Sequence, residues 1–184
     1  MMSNDIYDHM QVSAQARLFI ALWPDDIVRR SLADYRDACH WQGRPALARD
    51  AKLHITLHFL GNVAHARVPG LRAALTAPCA AFDLAFGHPA LWTRGVAVIE
   101  PLAIPDELRA LHAGLKEAIC SLGLPVEARP FRPHITLARH ARQVDFPAQA
   151  LKAIWRVEEY ALLESKTDTG EYRMLERYPV VSDT

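Results

Sequence analysis

Apolar and polar positions along the chain alternate between two periods. Arg17 to Leu22 (RLFIAL) is an apolar run stopped by Trp23-Pro24, which predicts a strand. Pro24 with Asp25-Asp26 then opens a helix, since proline fits a first turn and acids there suit the helix dipole. Ile27, Val28, Leu32, Tyr35 and Cys39 continue it at helical spacing. Leu53 to Leu60 (LHITLHFL) is rich in β-branched and aromatic residues and predicts a strand, with Gly61-Asn62 as the turn that closes it. A helix over 68–77 and strands over 82–86 and 96–99 follow. Pro105 to Ser121 is amphipathic, with Leu108, Leu111, Leu115 and Ile119 on its apolar face and Gly123 past its end. His134 to Ala138 (HITLA) is again strand-like. The tail predicts strands over 157–163 and 172–178 around a polar hairpin loop. Strands interspersed with helices and hairpin signals predict an α+β fold with mainly antiparallel sheet.

The order partly repeats, and a tetrapeptide repeats with it. His54-Ile55-Thr56-Leu57 recurs as His134-Ile135-Thr136-Leu137, each copy preceded by a helix and a loop. Two lobes, each presenting one copy, follow naturally. Alternation along a strand places His54 and Thr56 on one face, with Ile55 and Leu57 on the other, toward a core. His134 and Thr136 repeat the arrangement. If the lobes face each other, two imidazoles and two hydroxyls converge. Histidines titrate near neutrality and can divide the roles of general base and general acid. Threonine hydroxyls can donate hydrogen bonds to phosphate oxygens. Such a site needs no metal and no covalent intermediate. Sequence alone leaves open which histidine does which.

Composition refines this picture. The chain has 184 residues, about half of them apolar and 23% charged, with 21 basic against 21 acidic side chains. These are globular values for one domain, or one domain of two similar lobes. No apolar run is long enough to span a bilayer, so no membrane association is expected. Residues 1–16 are mostly polar and lack the basic start and apolar block of a secretory leader. They are expected to form a flexible extension to a single domain over 17–184. Cys39, Cys79 and Cys120 are odd in number and far apart, which predicts buried, reduced thiols in a cytoplasmic protein. A zero net charge excludes a broadly basic surface that coats nucleic acid. Charge is nevertheless uneven. Arg129, Arg132, Arg139 and Arg142 surround the second motif with no acid among them, and Arg44, Arg49, Lys52, Arg67 and Arg72 surround the first. A neutral protein with a positive cleft is therefore expected, suited to a terminal phosphate.

Neighbouring residues add candidates. His58 follows His54 and Thr56 in alternation and is expected on the cleft wall, with Phe59 turned to the core. A His54/His58 pair at i,i+4 would suit a metal on a helix, but the strand-like composition and lack of a nearby acid oppose this. Arg139 lies at odd spacing from His134, so reaching the cleft requires the strand to end or bend by Ala138. Arg132 shares the His134 face only if the strand begins early, which Pro133 leaves open. Most remaining histidines are expected on surfaces, with His112 along a helix edge. No sequence feature selects among Tyr160, Tyr172 and Tyr178.

HITLHFLG (His54 to Gly61) and RPHITLAR (Arg132 to Arg139) resemble the paired motifs of the 2H phosphoesterases. RLFIALWPDD (Arg17 to Asp26) resembles the opening of one branch, the RNA 2′,3′-cyclic phosphodiesterases, also called 2′-5′ RNA ligases. The resemblance implies a bilobal fold with pseudo-two-fold symmetry, two antiparallel sheets facing a central cleft, and helices outside. It implies hydrolysis of RNA 3′ ends or nucleoside 2′,3′-cyclic phosphates to 2′-phosphates by a monomer without metal or cofactor. His54 matches the proton donor, His134 the proton acceptor, and Arg139 a phosphate- or ribose-binding arginine. Reverse 2′-5′ ligation would use the same groups. Two other readings keep the scaffold: a non-catalytic RNA-end-binding module, or a phosphodiesterase of another small cyclic or 2′-5′ linked nucleotide.

Overall fold

The structure, a computed structural model, describes residues 15–151 and 153–180. In chain order its strands and helices are β1 (Gln15–Leu22), α1 (Asp26–Asp37), β2 (His40–Gln42), β3 (Ala46–Leu47), β4 (Ile55–Ala64), α2 (Val68–Ala74), β5 (Phe82–Trp92), β6 (Val96–Pro101), α3 (Asp106–Ser121), β7 (Ile135–Arg139), β8 (Gln143–Asp145), β9 (Ile154–Val157), β10 (Glu159–Ser165) and β11 (Tyr172–Pro179). The expected polar extension falls mostly outside the described residues. Its last two residues, Gln15 and Ala16, already belong to β1, and Ala16 is buried. Asp25 caps α1 by accepting a 2.8 Å hydrogen bond from the Val28 amide, as the acidic start implied.

Eight strands run side by side in the order β11-β10-β1-β4-β7-β6-β5-β9, with β3 added on β7 and β2–β8 forming a separate ribbon. Counted outward from the middle, β4-β1-β10-β11 and β7-β6-β5-β9 are two antiparallel halves of equal size. They meet at the pairing of Ile55 with Ile135, the second residue of each HITL copy. The pseudo-two-fold axis therefore passes through the repeat itself.

One face of this sheet carries the core. Leu18, Ile20, Leu22, Ile55, Leu57, Ile99, Ile135 and Leu137 pack there with Leu32 of α1, Leu71 of α2 and the four predicted α3 residues. The motif isoleucines and leucines are thus buried as alternation required. Fully burying each such side chain stabilises by about 1.5–3 kcal/mol. Tyr160 and Tyr178 also lie in this core. The Tyr160 hydroxyl donates to the Leu75 carbonyl at 2.7 Å and accepts from the Ala77 amide at 2.9 Å.

Several expectations are corrected. The single strand expected over 157–163 is two strands in different halves. β9 pairs with β5, β10 pairs with β1, and Glu158 is the crossing point. Gly61 does not end its strand. It sits at φ 70° within β4, where Leu18 pairs with Gly61 and Phe19 with Phe59, so Leu60 is an extra bulged residue. Glycine accommodates the left-handed conformation that an L side chain resists. Ile27 is 80% exposed although it fitted the helical spacing. Cys39 and Cys79 are buried, but Cys120 is exposed.

Candidate active site

Both motif strands carry a further bulge, immediately after the threonine. In β4, Thr56 pairs with Ala21 but His58 pairs with Ile20, leaving Leu57 extra. In β7, Thr136 pairs with Val98 but Ala138 pairs with Ala97, leaving Leu137 extra. An extra residue shifts the alternation by one, so everything beyond it changes face. Arg139 is thereby brought into the cleft, the bend its odd spacing required. The same shift corrects two other expectations. His58 turns away from His54 and is 6% exposed, its Nε2–H donating to the His112 carbonyl at 2.9 Å. His112, expected along a helix edge, is half-buried, and its ring lies between His58 (4.1 Å) and Phe131 (3.9 Å). Phe59, expected in the core, instead lines the cleft.

The cleft has a volume of about 530 Å³. His54, Thr56, His134, Thr136 and Arg139 all line it. The Ile55–Ile135 pairing runs the motifs antiparallel, so its register sets His54 beside Thr136 and His134 beside Thr56. The expected convergence is met. Arg17, Arg49 and Lys52 join Arg139 on the wall, and no Asp or Glu is among the lining residues. Local charge, hidden in the zero total, is concentrated here. Two other cations of the basic stretches pair with acids away from the cleft. Arg72 pairs with Glu176, and Arg129 with Glu127.

Each histidine is held by the same device. His54 Nδ1–H donates to the Lys52 carbonyl at 2.6 Å, and His134 Nδ1–H donates to the Arg132 carbonyl at 2.8 Å. In both, the acceptor lies two residues before the ring. This bond fixes the neutral tautomer and leaves Nε2 as the working nitrogen. In the neutral ring, His54 Nε2 accepts from the Thr56 hydroxyl at 3.1 Å. Aromatic rings set the orientations. Phe19, Trp23 and Tyr172 lie 5.2, 5.6 and 5.5 Å from the His54 ring, and Trp92 lies 4.4 Å from His134.

Arg132 does not reach the cleft with its side chain. Its guanidinium pairs with Glu100 at 2.7 Å and stacks over Trp92 at 4.4 Å. Its part in the site is the carbonyl under His134 and the ring it presses behind it. On the other lobe, α1 holds the segment that carries Arg49 and Lys52. Arg36, buried, bonds the Asp50 carboxylate at 2.7 Å and the Ala48 carbonyl, while Arg29 donates to the Asp50 carbonyl at 3.2 Å.

Electrostatics follow from this setting. Burial pushes His54 down to about 4, opposed by its bond to Lys52 and reinforced by His134, Arg29 and Arg139. Burial also lowers His134, reinforced by Arg132 and Arg139 and opposed by the Arg132 carbonyl and by Glu100. Both shifts favour the neutral ring at neutral pH. An entering phosphate anion favours the imidazolium and moves both upward. Among the described residues, no three His, Cys, Asp or Glu side chains are grouped as metal ligands. Likewise, no helix among them is long and apolar enough to cross a membrane.

Sequence reasoning missed Phe59, Tyr172, Phe19, Trp23 and Trp92. Tyr172 is the one tail tyrosine at the cleft, where Lys52 Nζ lies 4.9 Å over its ring.

Comparison with known proteins agrees with this architecture. An RNA 2′,3′-cyclic phosphodiesterase of Geobacillus stearothermophilus is 32% identical over 148 residues, which are 70% of this chain and 45% of that protein. The chain thus spans under half of that relative. An RNA 2′,3′-cyclic phosphodiesterase of Escherichia coli is 30% identical over 170 residues, covering 88% of this chain and 94% of that one. The crystal structure of E. coli LigT in apo form superposes with a TM-score of 0.83 at 26% identity, covering 92% of this chain and all of the other. The sequence model of the 2′-5′ RNA ligase superfamily matches residues 23–169, both HITL copies included, and the chain belongs to that superfamily.

Proposed function

We propose that this chain hydrolyses 2′,3′-cyclic phosphates, at RNA 3′ ends or on nucleosides, to 2′-phosphates. The observation that carries the reading is the convergence of both His-x-Thr pairs and Arg139 on one cleft without acids. The names of the curated relatives point the same way. In this reading Thr56, Thr136 and Arg139 hold the non-bridging oxygens, and their donors gain as charge develops on them. His134 Nε2 takes a proton from water as its oxygen attacks phosphorus. His54, protonated once the anion is bound, gives its proton to the leaving O3′. The P–O3′ bond breaks, a P–O(water) bond forms, and the phosphate stays on O2′. His54 passes from imidazolium to imidazole and His134 the reverse, so protons balance. No metal takes part.

The assignment of His54 as acid rests on its match to the family motif and on its surroundings. Phe19, Trp23 and Tyr172 enclose its ring, so water has less access there than a ribose oxygen held in place would. The reverse reaction, joining a cyclic-phosphate end to a hydroxyl, uses the same groups. Water at its bulk concentration favours hydrolysis.

The test is turnover of nucleoside 2′,3′-cyclic phosphates and of a short RNA with a cyclic phosphate end, with the product identified by phosphorus NMR. A 2′-phosphate supports the reading. A 3′-phosphate sinks it, and tight binding of a 2′-phosphate without turnover of any cyclic substrate makes the chain a binding module.

A further inference from the structure

The two lobes share a backbone but differ in the residue set beside each histidine. In the register of β1 with β4, Leu22 pairs with Ile55, and one step on Trp23 comes beside His54. In the register of β6 with β7, Ile99 pairs with Ile135, and one step on Glu100 comes beside His134. Trp23 and Glu100 are therefore counterparts under the pseudo-two-fold axis. Each motif otherwise repeats the same bulge, the same threonine and the same Nδ1–H bond to a carbonyl two residues back. Each ring also packs near an indole that is covered by a guanidinium. Arg29 lies 5.0 Å from the Trp23 centroid, and Arg132 lies 4.4 Å from that of Trp92. Glu100 breaks the match. One of its oxygens accepts from Trp92 Nε1–H at 2.9 Å and from the Arg132 guanidinium at 2.7 Å. It thereby offsets the charge of Arg132 and fixes the ring that packs 4.4 Å from His134, without lining the cleft itself. Arg29 directs its donors to the Pro24 and Asp50 carbonyls, which carry no net charge.

We infer that Glu100 is a positioning residue that makes His134 the more basic histidine of the pair. The inference rests on the reading of the cleft as a cyclic-phosphate site, and it supplies what divides base from acid between two nearly symmetric rings. A carboxylate close behind a ring favours its imidazolium, so His134 takes a proton from water more readily. The surrounding charges agree. Glu100 opposes the lowering of His134 by burial, whereas His134, Arg29 and Arg139 all lower His54. The charged and titratable groups around His134 are Glu100 from β6, Arg132 before β7, Arg139 at its end and His54 across the cleft, with Arg17, Arg49 and Lys52 farther along the wall. Glu100 is the one acid among them.

The experiment is an NMR titration of both rings in ligand-free protein, with signals assigned from His54→Gln and His134→Gln. In wild type His134 is expected to titrate above His54. Glu100→Gln keeps an acceptor for Trp92 Nε1–H and removes the charge. There the His134 midpoint is expected to fall while His54 moves by less, and Glu100→Asp, which keeps the charge, returns part of the fall. On a nucleoside 2′,3′-cyclic phosphate, Glu100→Gln should lower kcat about 3- to 30-fold, a fraction of the 10²- to 10⁴-fold that proton transfer by a positioned group supplies. KM should stay within about twofold, and the ascending limb of the pH profile should move to lower pH with His134. Thermal melts confirm that the variants fold. A wild-type His134 titrating below His54, a His134 midpoint unchanged in Glu100→Gln, or an equal fall of both rings overturns the inference. The titration needs no substrate, so a wild type that turns over no cyclic phosphate would defeat the hydrolase reading while the order of the two rings still decides this one.

Discussion

Replacing the His54 imidazole should make the protein more resistant to acid unfolding. Burial holds the His54 pKa near 4 in the folded chain, against 6.5 for an ordinary histidine. Between those values the unfolded chain binds a proton at this position and the folded chain does not. By linkage, stability rises with pH across that window and is lost as pH falls through it. Below about 4 both forms are protonated and the loss is complete. At about 1.4 kcal/mol per pH unit, the fall from 6.5 to about 4 corresponds to an upper bound of about 3 kcal/mol. Part of the ring edge meets cleft water, so screening reduces the expected loss to about 1–2 kcal/mol. His112 is also pushed to about 4, by burial first and then by His58 and Lys116, and contributes with the same sign. A difference measurement isolates His54. Urea unfolding of wild type and His54→Gln between pH 4 and 7 should show wild type losing about 1–2 kcal/mol more on acidification. Saturating 2′-phosphate nucleotide should raise the His54 pKa in a proton NMR titration, because the anion favours the imidazolium. Parallel pH profiles for the two proteins, or a free-enzyme His54 titrating near 6.5, would refute the reasoning.

Other consequences follow from the contacts around the cleft. Arg139→Ala should lower kcat/KM on a nucleoside cyclic phosphate about 10- to 100-fold, and Arg139→Lys should restore only part, since a point charge replaces a two-pronged donor. Arg36→Met removes the bonds to Ala48 and Asp50 and should cost about 1–3 kcal/mol in urea unfolding. It should also lower kcat more than it raises KM, because Lys52 and its carbonyl under His54 lose their support. His58→Leu should lower stability by about 1 kcal/mol through loss of the bond to His112 while leaving KM unchanged. A raised KM would return His58 to the cleft.

The repeat carried most of what the sequence could disclose. Period-two alternation placed Ile55 and Leu57 in the core and His54 and Thr56 opposite them, and the structure agrees. Burial drives that pattern, so it is written in residue types. Alternation failed one residue later, at Leu57 and Leu137. A bulge is a backbone irregularity set by the register of the neighbouring strand, and no side chain at those positions announces it. His58 and Phe59 were exchanged for that reason, while Arg139 was reached only by requiring a bend. The crossing at Glu158 was hidden similarly, since β9 and β10 are apolar enough to look like one run. The aromatic surround of His54 comes from strands distant in sequence, β1 and β11, whose meeting depends on tertiary pairing.

The paired-histidine mechanism is tested most directly by single-turnover hydrolysis of a nucleoside 2′,3′-cyclic phosphate in His54→Ala, His134→Ala and the double variant. Acid and base act in one step, so each single variant should lose about 10²- to 10⁴-fold. The double variant should be little worse than either, as befits groups that work as a unit. Near-normal turnover in either folded single variant, or losses that multiply in the double, would contradict the account.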